Sequence, residues 1–248
     1  MLVSERVQIA PRVFCEQQNR VRSTTSREVK LARSTKSVRY LIDKLEFERI
    51  VDMDVKTHYD MLIDENNDPF RDLPELQEYM NTWDGSPFLE ALELSKNKSV
   101  LEIGVGTGRI AVKVAPCCFK LTGIDISPKT IDRAKDNLKE YGNIFFVCSD
   151  FNSHEFEETF DVIYSSLTMM HFKDKATVIT KVDKLLNDNG IFCLSIDKNQ
   201  SEYIDMGTRK IKVYPDNLNN IIPIIGETAM SVVKVIETDN AYIVVSRK

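Results

Sequence analysis

Three glycines at alternate positions form the part of the sequence best suited to bind a ligand. Gly104, Gly106 and Gly108 lie in the run VLEIGVGTGRIAVKV, between an apolar strand pattern and the start of a helix pattern. Such a turn brings backbone N–H groups and the positive end of a helix close to a ligand. Glu102 lies two residues before the first glycine. Because its charge repels a pyrophosphate, we expect a cationic or zwitterionic ligand.

Arg109 separates this run from the dinucleotide-binding fingerprint GxGxxG, which places its third glycine at that position. The substitution argues against an NAD-linked oxidoreductase. The side chain has two predicted roles: it either reaches a carboxylate of the ligand or pairs with a surface acid.

Acidic residues also end the next two predicted strands. Asp125 ends KLTGID, 17 residues after Gly108, and is followed by Ile126. This is close to where a nucleotide-binding α/β unit places the acid that accepts hydrogen bonds from the ribose hydroxyls. Asp150, followed by Phe151, ends the apolar run IFFVCSDF. Two further apolar runs, FDVIYSS and GIFCLSID, predict a fourth and a fifth strand.

Taken together, these segments resemble the class I S-adenosylmethionine-dependent methyltransferases, whose first motif is an acidic residue followed by GxGxG. The resemblance implies S-adenosylmethionine as the cofactor and no metal. It implies a set of cofactor-binding residues, namely Tyr59, Glu102, Gly104, Gly106, Gly108, Arg109, Asp125, Ile126, Asp150, Phe151 and Ser165. Asp150 would contact the adenine beside Phe151, the backbone at Ser165 the ammonium group, and Tyr59 would close over the methionine carboxylate.

Alternating strand and helix patterns from about residue 97 predict an α/β fold. The resemblance makes it a Rossmann-like, doubly wound, seven-stranded sheet with the last strand antiparallel. The final run MSVVKVIETDNAYIVVSRK, with Thr-Asp-Asn as its turn, fits a terminal hairpin. We divide the chain into a basic N-terminal extension (1–52), a helical lead-in or cap (53–96) and the S-adenosylmethionine-binding domain (97–248).

His171 follows the fourth predicted strand, close to where a transferred methyl group would emerge. A neutral imidazole there could act as a general base for a hydroxyl, amine or carbon nucleophile. The alternatives are that His171 only lines the site or only satisfies a backbone group. His171 is the predicted catalytic residue.

Charge is distributed unevenly along the 248 residues. The first 50 residues carry 11 Lys and Arg against 6 Asp and Glu, and the remaining 198 carry 22 against 32. The acidic part is unsuited to binding a phosphate backbone, so nucleic acid is not expected as a partner. The basic extension is a helical lid, a dimerisation arm, a DNA-binding arm or a tail.

The residues after the fourth strand, SSLT, match neither the Asn/Asp-Pro-Pro-aromatic motif of amino-group methylases nor the Pro-Cys of cytosine methylases. A small-molecule acceptor is therefore expected. The alternative function is a regulator that senses S-adenosylmethionine without catalysis and contacts DNA through its basic arm. Five cysteines without metal-ligand spacing and no long apolar run predict a cytoplasmic protein, not held in a membrane. A homodimer is expected if the extension is a dimerisation arm.

Overall fold

The computed structural model describes residues 53–207 and 209–248, so the predicted basic extension lies outside the described residues. The described residues form two units. One comprises residues 56–201 and 213–248, and the other comprises residues 202–212 with 53–55. In these ranges no helix is both long and apolar enough to cross a membrane. The boundaries predicted at residues 52 and 96 remain predictions.

Short helices make up the lead-in segment. They are α1 (Val55–Asp64), α2 (Pro74–Asp84) and α3 (Ser86–Ala91), with a 3-10 turn at Pro69–Arg71. A proline stands in the first turn of α2, of α3 and of the 3-10 turn. Proline favours these positions because its fixed φ suits a helix start and its missing N–H would be unpaired there.

A seven-stranded sheet forms the centre of the larger unit. Its strands are β1 (Ser99–Ile103), β2 (Lys120–Asp125), β3 (Ile144–Cys148), β4 (Phe160–Ser166), β5 (Leu186–Asp197), β8 (Ser231–Glu237) and β9 (Ala241–Arg247). Their order is β3-β2-β1-β4-β5-β9-β8. β9 pairs antiparallel with both β5 and β8, and the other pairs are parallel. The predicted fold class, including the antiparallel last strand, is confirmed.

Four helices lie between strands in the chain order. They are α4 (Ala111–Val114), α5 (Pro128–Asn137), α6 (Lys175–Leu185) and α7 (Leu218–Gly226). Two clusters of buried apolar side chains form the core, one containing Phe192 and Val178, the other Phe88 and Tyr164. Ser127 caps α5, because its hydroxyl accepts the Thr130 N–H at 3.1 Å. Asn217 caps α7, because its side chain accepts the Asn220 N–H.

Two local features differ from the sequence expectation. Strand β3 ends at Cys148, two residues before Asp150, so that aspartate lies in the following turn. A small antiparallel sheet of β6 (Tyr203–Asp205) and β7 (Lys210–Lys212) forms in the smaller unit. Strand β6 was not predicted, because three residues are too few to show a periodic pattern.

The order of the strands creates a crevice at the carboxyl end of β1. The neighbours of β1 are β2 on one side and β4 on the other. The connection from β1 leads to β2, and the connection from β4 leads to β5, so the chain moves in opposite directions along the sheet from these two strands. Ligands of open α/β sheets bind at such a switch point. The glycine run follows β1, and His171 follows β4 in a 3-10 turn at Met169–His171.

Candidate active site

The glycine turn after β1 has a backbone that only glycine adopts readily. All three glycines have positive φ, +79° at Gly104, +55° at Gly106 and +96° at Gly108. A Cβ on Gly104 would lie 2.1 Å from the Thr168 hydroxyl oxygen, so the turn packs directly on the loop after β4. A Cβ on Gly106 would meet no atom within 4 Å. The turn is therefore tight against the protein at Gly104 and open at Gly106.

Asp125 joins the end of β2 to this open turn. One of its carboxylate oxygens accepts the Gly106 N–H at 3.1 Å and the other accepts the Ser127 N–H at 3.0 Å. Burial raises the pKa of Asp125, while hydrogen bonds from Ser127, Gly106 and Ile126 lower it. No cation of the described chain pairs with this carboxylate, so it can accept hydrogen bonds from a neutral diol.

Glu102 lies beneath the turn, in the interior. The residue is only 2% exposed, and the Tyr164 hydroxyl donates to its carboxylate at 2.7 Å. Burial raises the pKa of Glu102 to about 8, against the opposing effects of the Tyr164 hydrogen bond and the charge of Arg109. Below that pH the group is mostly neutral, and a cation bound nearby would favour its ionised form.

This raised pKa makes stability depend on pH. The unfolded carboxyl group ionises at its usual pKa of about 4.5, whereas the folded one holds its proton up to about pH 8. The Glu102 contribution to stability is therefore fully present below about pH 4.5 and is lost as the pH rises towards 8. Urea unfolding at several pH values should show this decline in wild type and a smaller one in Glu102→Gln. An equal decline in both proteins would contradict the assignment.

Arg109 lies directly after the glycine turn and pairs with a buried acid. Its two terminal nitrogens donate to the two carboxylate oxygens of Asp84, at 2.7 and 2.5 Å. The Ser166 hydroxyl donates to the same carboxylate at 2.6 Å. Arg109 therefore pairs with a buried acid and not with the predicted surface acid, and its predicted contact with a carboxylate of the ligand stays a prediction. The ion pair connects the end of α2 to the glycine turn, and the Ser166 hydrogen bond connects it to the end of β4.

Asp84 was not identified from the sequence, although its position at the end of a helix is a local signal. It is the last residue of α2, where the negative end of the helix disfavours a carboxylate. An acid at that position, followed by Gly85, indicates a specific partner elsewhere.

Two further acidic residues of the lead-in segment form hydrogen bonds with residues next to Asp125 and the glycine turn. Asp60 accepts the Ser127 hydroxyl at 2.7 Å, next to Asp125. Asp68, 6% exposed, accepts hydrogen bonds from Arg133 and Asn137. The Asn137 amide also donates to the Thr107 carbonyl at 3.0 Å, inside the glycine turn. The lead-in therefore contacts α5 and the turn through charged side chains.

Tyr59 and His171 form a hydrogen-bonded pair. The Tyr59 hydroxyl lies 2.8 Å from His171 Nε2, and the two rings meet edge to face. Burial lowers the pKa of His171 to about 4, with His58 and Lys175 adding to the effect, so the imidazole is neutral at pH 7. Burial raises the pKa of Tyr59, and the charge of Asp125 adds to it. His171 Nδ1 is buried and has no hydrogen-bond partner in the described part of the chain.

The remaining predicted residues have local partners. The Ser165 hydroxyl donates to the Ile103 carbonyl at 3.2 Å, which ties β4 to β1. The Asp150 carboxylate accepts the Ser153 N–H at 3.0 Å and so closes the turn after β3. Phe151 is 3% exposed and packs in the core against Phe156 and Phe172. The structure therefore gives Phe151 a packing contact, and its predicted contact with adenine stays a prediction.

Comparison with known proteins decides the family. The model of the methyltransferase domain family matches residues 94–240, more than half of the chain. The chain belongs to this family. As predicted, it is a methyltransferase with the class I fold, and its predicted cofactor is S-adenosylmethionine. The residues present fit that cofactor, because Gly106 leaves open space beside the Asp125 carboxylate.

Part of this chain is similar in sequence to two proteins that carry different names. Nodulation protein S of Sinorhizobium fredii is 30% identical over 89 residues, covering 36% of this chain and 41% of that protein. Malonyl-[acyl-carrier protein] O-methyltransferase of Acetivibrio thermocellus is 30% identical over 111 residues, covering 43% of this chain and 39% of that protein. These matches span less than half the length of either relative.

The same fold occurs in the crystal structure of N-methyltransferase NodS from Bradyrhizobium japonicum in complex with S-adenosyl-L-homocysteine. The TM-score is 0.53 at 22% identity, and the match covers 74% of this chain and 89% of that one. At this identity the likeness shows the fold alone.

Proposed function

We propose that the protein transfers a methyl group from S-adenosylmethionine directly to a small-molecule acceptor. The cofactor supplies an activated methyl group on a positively charged sulfonium, so the reaction is an in-line displacement. The protein contributes orientation and exclusion of water. The observation that carries the proposal is the Asp125 carboxylate bonded to the Gly106 N–H, at the switch point of the sheet and beside open space.

Each residue of the glycine turn and its surroundings receives a physical role in this proposal. The Asp125 carboxylate accepts hydrogen bonds from the ribose hydroxyls, and Ile126 beside it contacts the cofactor. The negative charge of Glu102 attracts the ammonium end of the cofactor. Gly104, Gly106 and Gly108 let the backbone pass close beneath it. Tyr59, Ser165, Asp150 and Phe151 complete the proposed contacts. Arg109 acts through Asp84, as a residue that positions the turn.

His171 is proposed as the group that receives a hydrogen bond or a proton from the acceptor. In the proposed tautomer, Nε2–H donates to the Tyr59 hydroxyl oxygen, and the lone pair of the buried Nδ1 has no partner within the described residues. Its pKa of about 4 keeps the imidazole neutral at pH 7, as this role requires. Tyr59 then fixes the orientation of the ring.

The kind of acceptor is inferred from charge and from the relatives. The chain after residue 50 carries a net negative charge, which disfavours nucleic acid. The names of two relatives describe an O-methyltransferase and an N-methyltransferase. We propose a small molecule bearing an oxygen or nitrogen nucleophile. We also propose a cytoplasmic protein, since the four cysteines in the described ranges are free.

The proposal predicts turnover that depends on an acceptor. Purified protein is incubated with methyl-labelled S-adenosylmethionine and a panel of amines, phenols, hydroxy acids and carboxylic acids, and S-adenosylhomocysteine is measured. With a substrate found, His171→Ala should lower kcat by about 10²- to 10⁴-fold. Tyr59→Phe should lower it less, because Nδ1 remains.

His154→Ala serves as the matched control, since His154 lies in the loop after β3 and should leave kcat unchanged. Binding of S-adenosylmethionine without turnover of any acceptor would favour the sensing regulator instead. Unchanged kcat in His171→Ala would remove that residue from the mechanism.

A further inference from the structure

A carboxylate and two aromatic side chains meet at the carboxyl end of β5, one strand away from β4. Ser195 lies opposite Ser166 in the β4–β5 ladder, and its hydroxyl donates to the Trp83 carbonyl at 2.7 Å. Asp197 is two residues further along β5 and so lies on the same face of the sheet as Ser195. The end of α2 therefore spans the ends of both strands, with Asp84 at β4 and Trp83 at β5.

Asp197 has no cation to balance its charge. It is only partly buried, and its Oδ1 accepts the Asn199 N–H at 2.9 Å. No basic side chain of the described ranges forms an ion pair with it. The adjacent Lys198 binds Glu237 at 2.7 Å instead. Burial raises the pKa of Asp197, as expected of a carboxylate that lacks a counter-charge.

Two aromatic side chains lie near this carboxylate. Tyr79 and Trp83, one turn apart on α2, meet edge to face with ring centroids 5.2 Å apart. Trp83 lies near enough to Asp197 to affect its pKa, although the buried indole Nε1 forms no hydrogen bond within the described residues. The charge of Asp197 raises the pKa of Tyr79. All three residues are partly exposed, so a ligand can reach them. A carboxylate next to tryptophan and tyrosine is a combination that binds organic cations through charge and cation–π attraction.

We infer that Asp197, Tyr79 and Trp83 form a subsite for a positively charged nitrogen on the methyl acceptor. The inference rests on the proposed function, because it places the acceptor at the ends of β4 and β5. The cationic group recognised here need not be the group that is methylated. The subsite thus narrows the acceptor to molecules that carry an amine or another organic cation.

The chain offers a direct optical measurement of this subsite, because Trp83 is its single tryptophan. The full-length protein, saturated with S-adenosylhomocysteine, is titrated with cyclohexylamine and separately with cyclohexanol while tryptophan fluorescence is recorded. The two probes have similar shape and differ in charge. We expect a saturable change with cyclohexylamine and at least tenfold weaker binding of cyclohexanol.

Asp197→Asn should remove this preference, with about tenfold weaker binding of the amine and unchanged binding of the alcohol. Asp239→Asn, at the exposed turn between β8 and β9, makes the same change of net charge and should leave the preference intact. Equal binding of both probes to wild type, or an unchanged preference in Asp197→Asn, would overturn the subsite. Titration with S-adenosylhomocysteine separates the two proposals. If this compound does not bind wild type, the proposed function is contradicted; if it binds but the amine is not preferred, only the subsite is contradicted.

Discussion

Replacing Asp84 with alanine should lower the free energy of unfolding by about 3–5 kcal/mol, because the change leaves a buried charge without its partner. The Asp84 side chain is 0% exposed and that of Arg109 is 14% exposed, so water cannot replace the lost ion pair. The variant also loses the Ser166 hydrogen bond. Urea unfolding followed by circular dichroism measures the loss.

Two further comparisons test whether the unpaired buried charge causes this loss of stability. The double variant Asp84→Leu with Arg109→Met removes both charges and should recover most of the lost stability. Asp64→Ala breaks an exposed pair with Lys129, in which the side chains are 59% and 48% exposed, and should cost at most about 1 kcal/mol. A loss in Asp84→Ala no larger than that in Asp64→Ala would contradict a buried, stabilising pair.

Replacing Gly106 with alanine should weaken S-adenosylmethionine binding by about 10- to 100-fold, because the added methyl group enters space assigned to the ligand. The protein itself should fold. The new Cβ meets no protein atom within 4 Å, and the φ of +55° should cost only about 1 kcal/mol. Calorimetric titration measures the affinity, and thermal unfolding checks the fold.

Gly142→Ala is the matched control. A Cβ there also meets no atom within 4 Å, and Gly142 lies in the turn before β3, away from the glycine run. It should bind the cofactor like wild type. If Gly106→Ala also binds like wild type, the space at Gly106 does not hold the ligand.

Residues close together in sequence made the fold and the glycine turn predictable. The glycine spacing, the acid before it and the acids that end β2 and the β3 segment can be read as a pattern, because each follows an apolar run of regular length. Ser127 before Pro128 is likewise a local signal of a helix start, and Ser127 is the cap of α5 in the structure.

Side-chain partners distant in sequence were not predictable. Asp84 lies 25 residues from Arg109 and 82 from Ser166, and no local pattern couples them. The pairing of Tyr59 with His171 spans 112 residues. Phe151 follows a strand, and its packing against Phe156 and Phe172 could not be read from the sequence. Such contacts depend on how helices close over the sheet, which periodicity alone does not determine.

Cofactor binding by Asp125 tests the central claim most directly. Calorimetric titration of the full chain with S-adenosylmethionine, S-adenosylhomocysteine and NAD is compared between wild type and Asp125→Ala. We predict that wild type binds both sulfur compounds and not NAD, and that Asp125→Ala binds them at least tenfold more weakly while remaining folded. If neither sulfur compound binds wild type, or if Asp125→Ala binds them unchanged, the account of the site is contradicted.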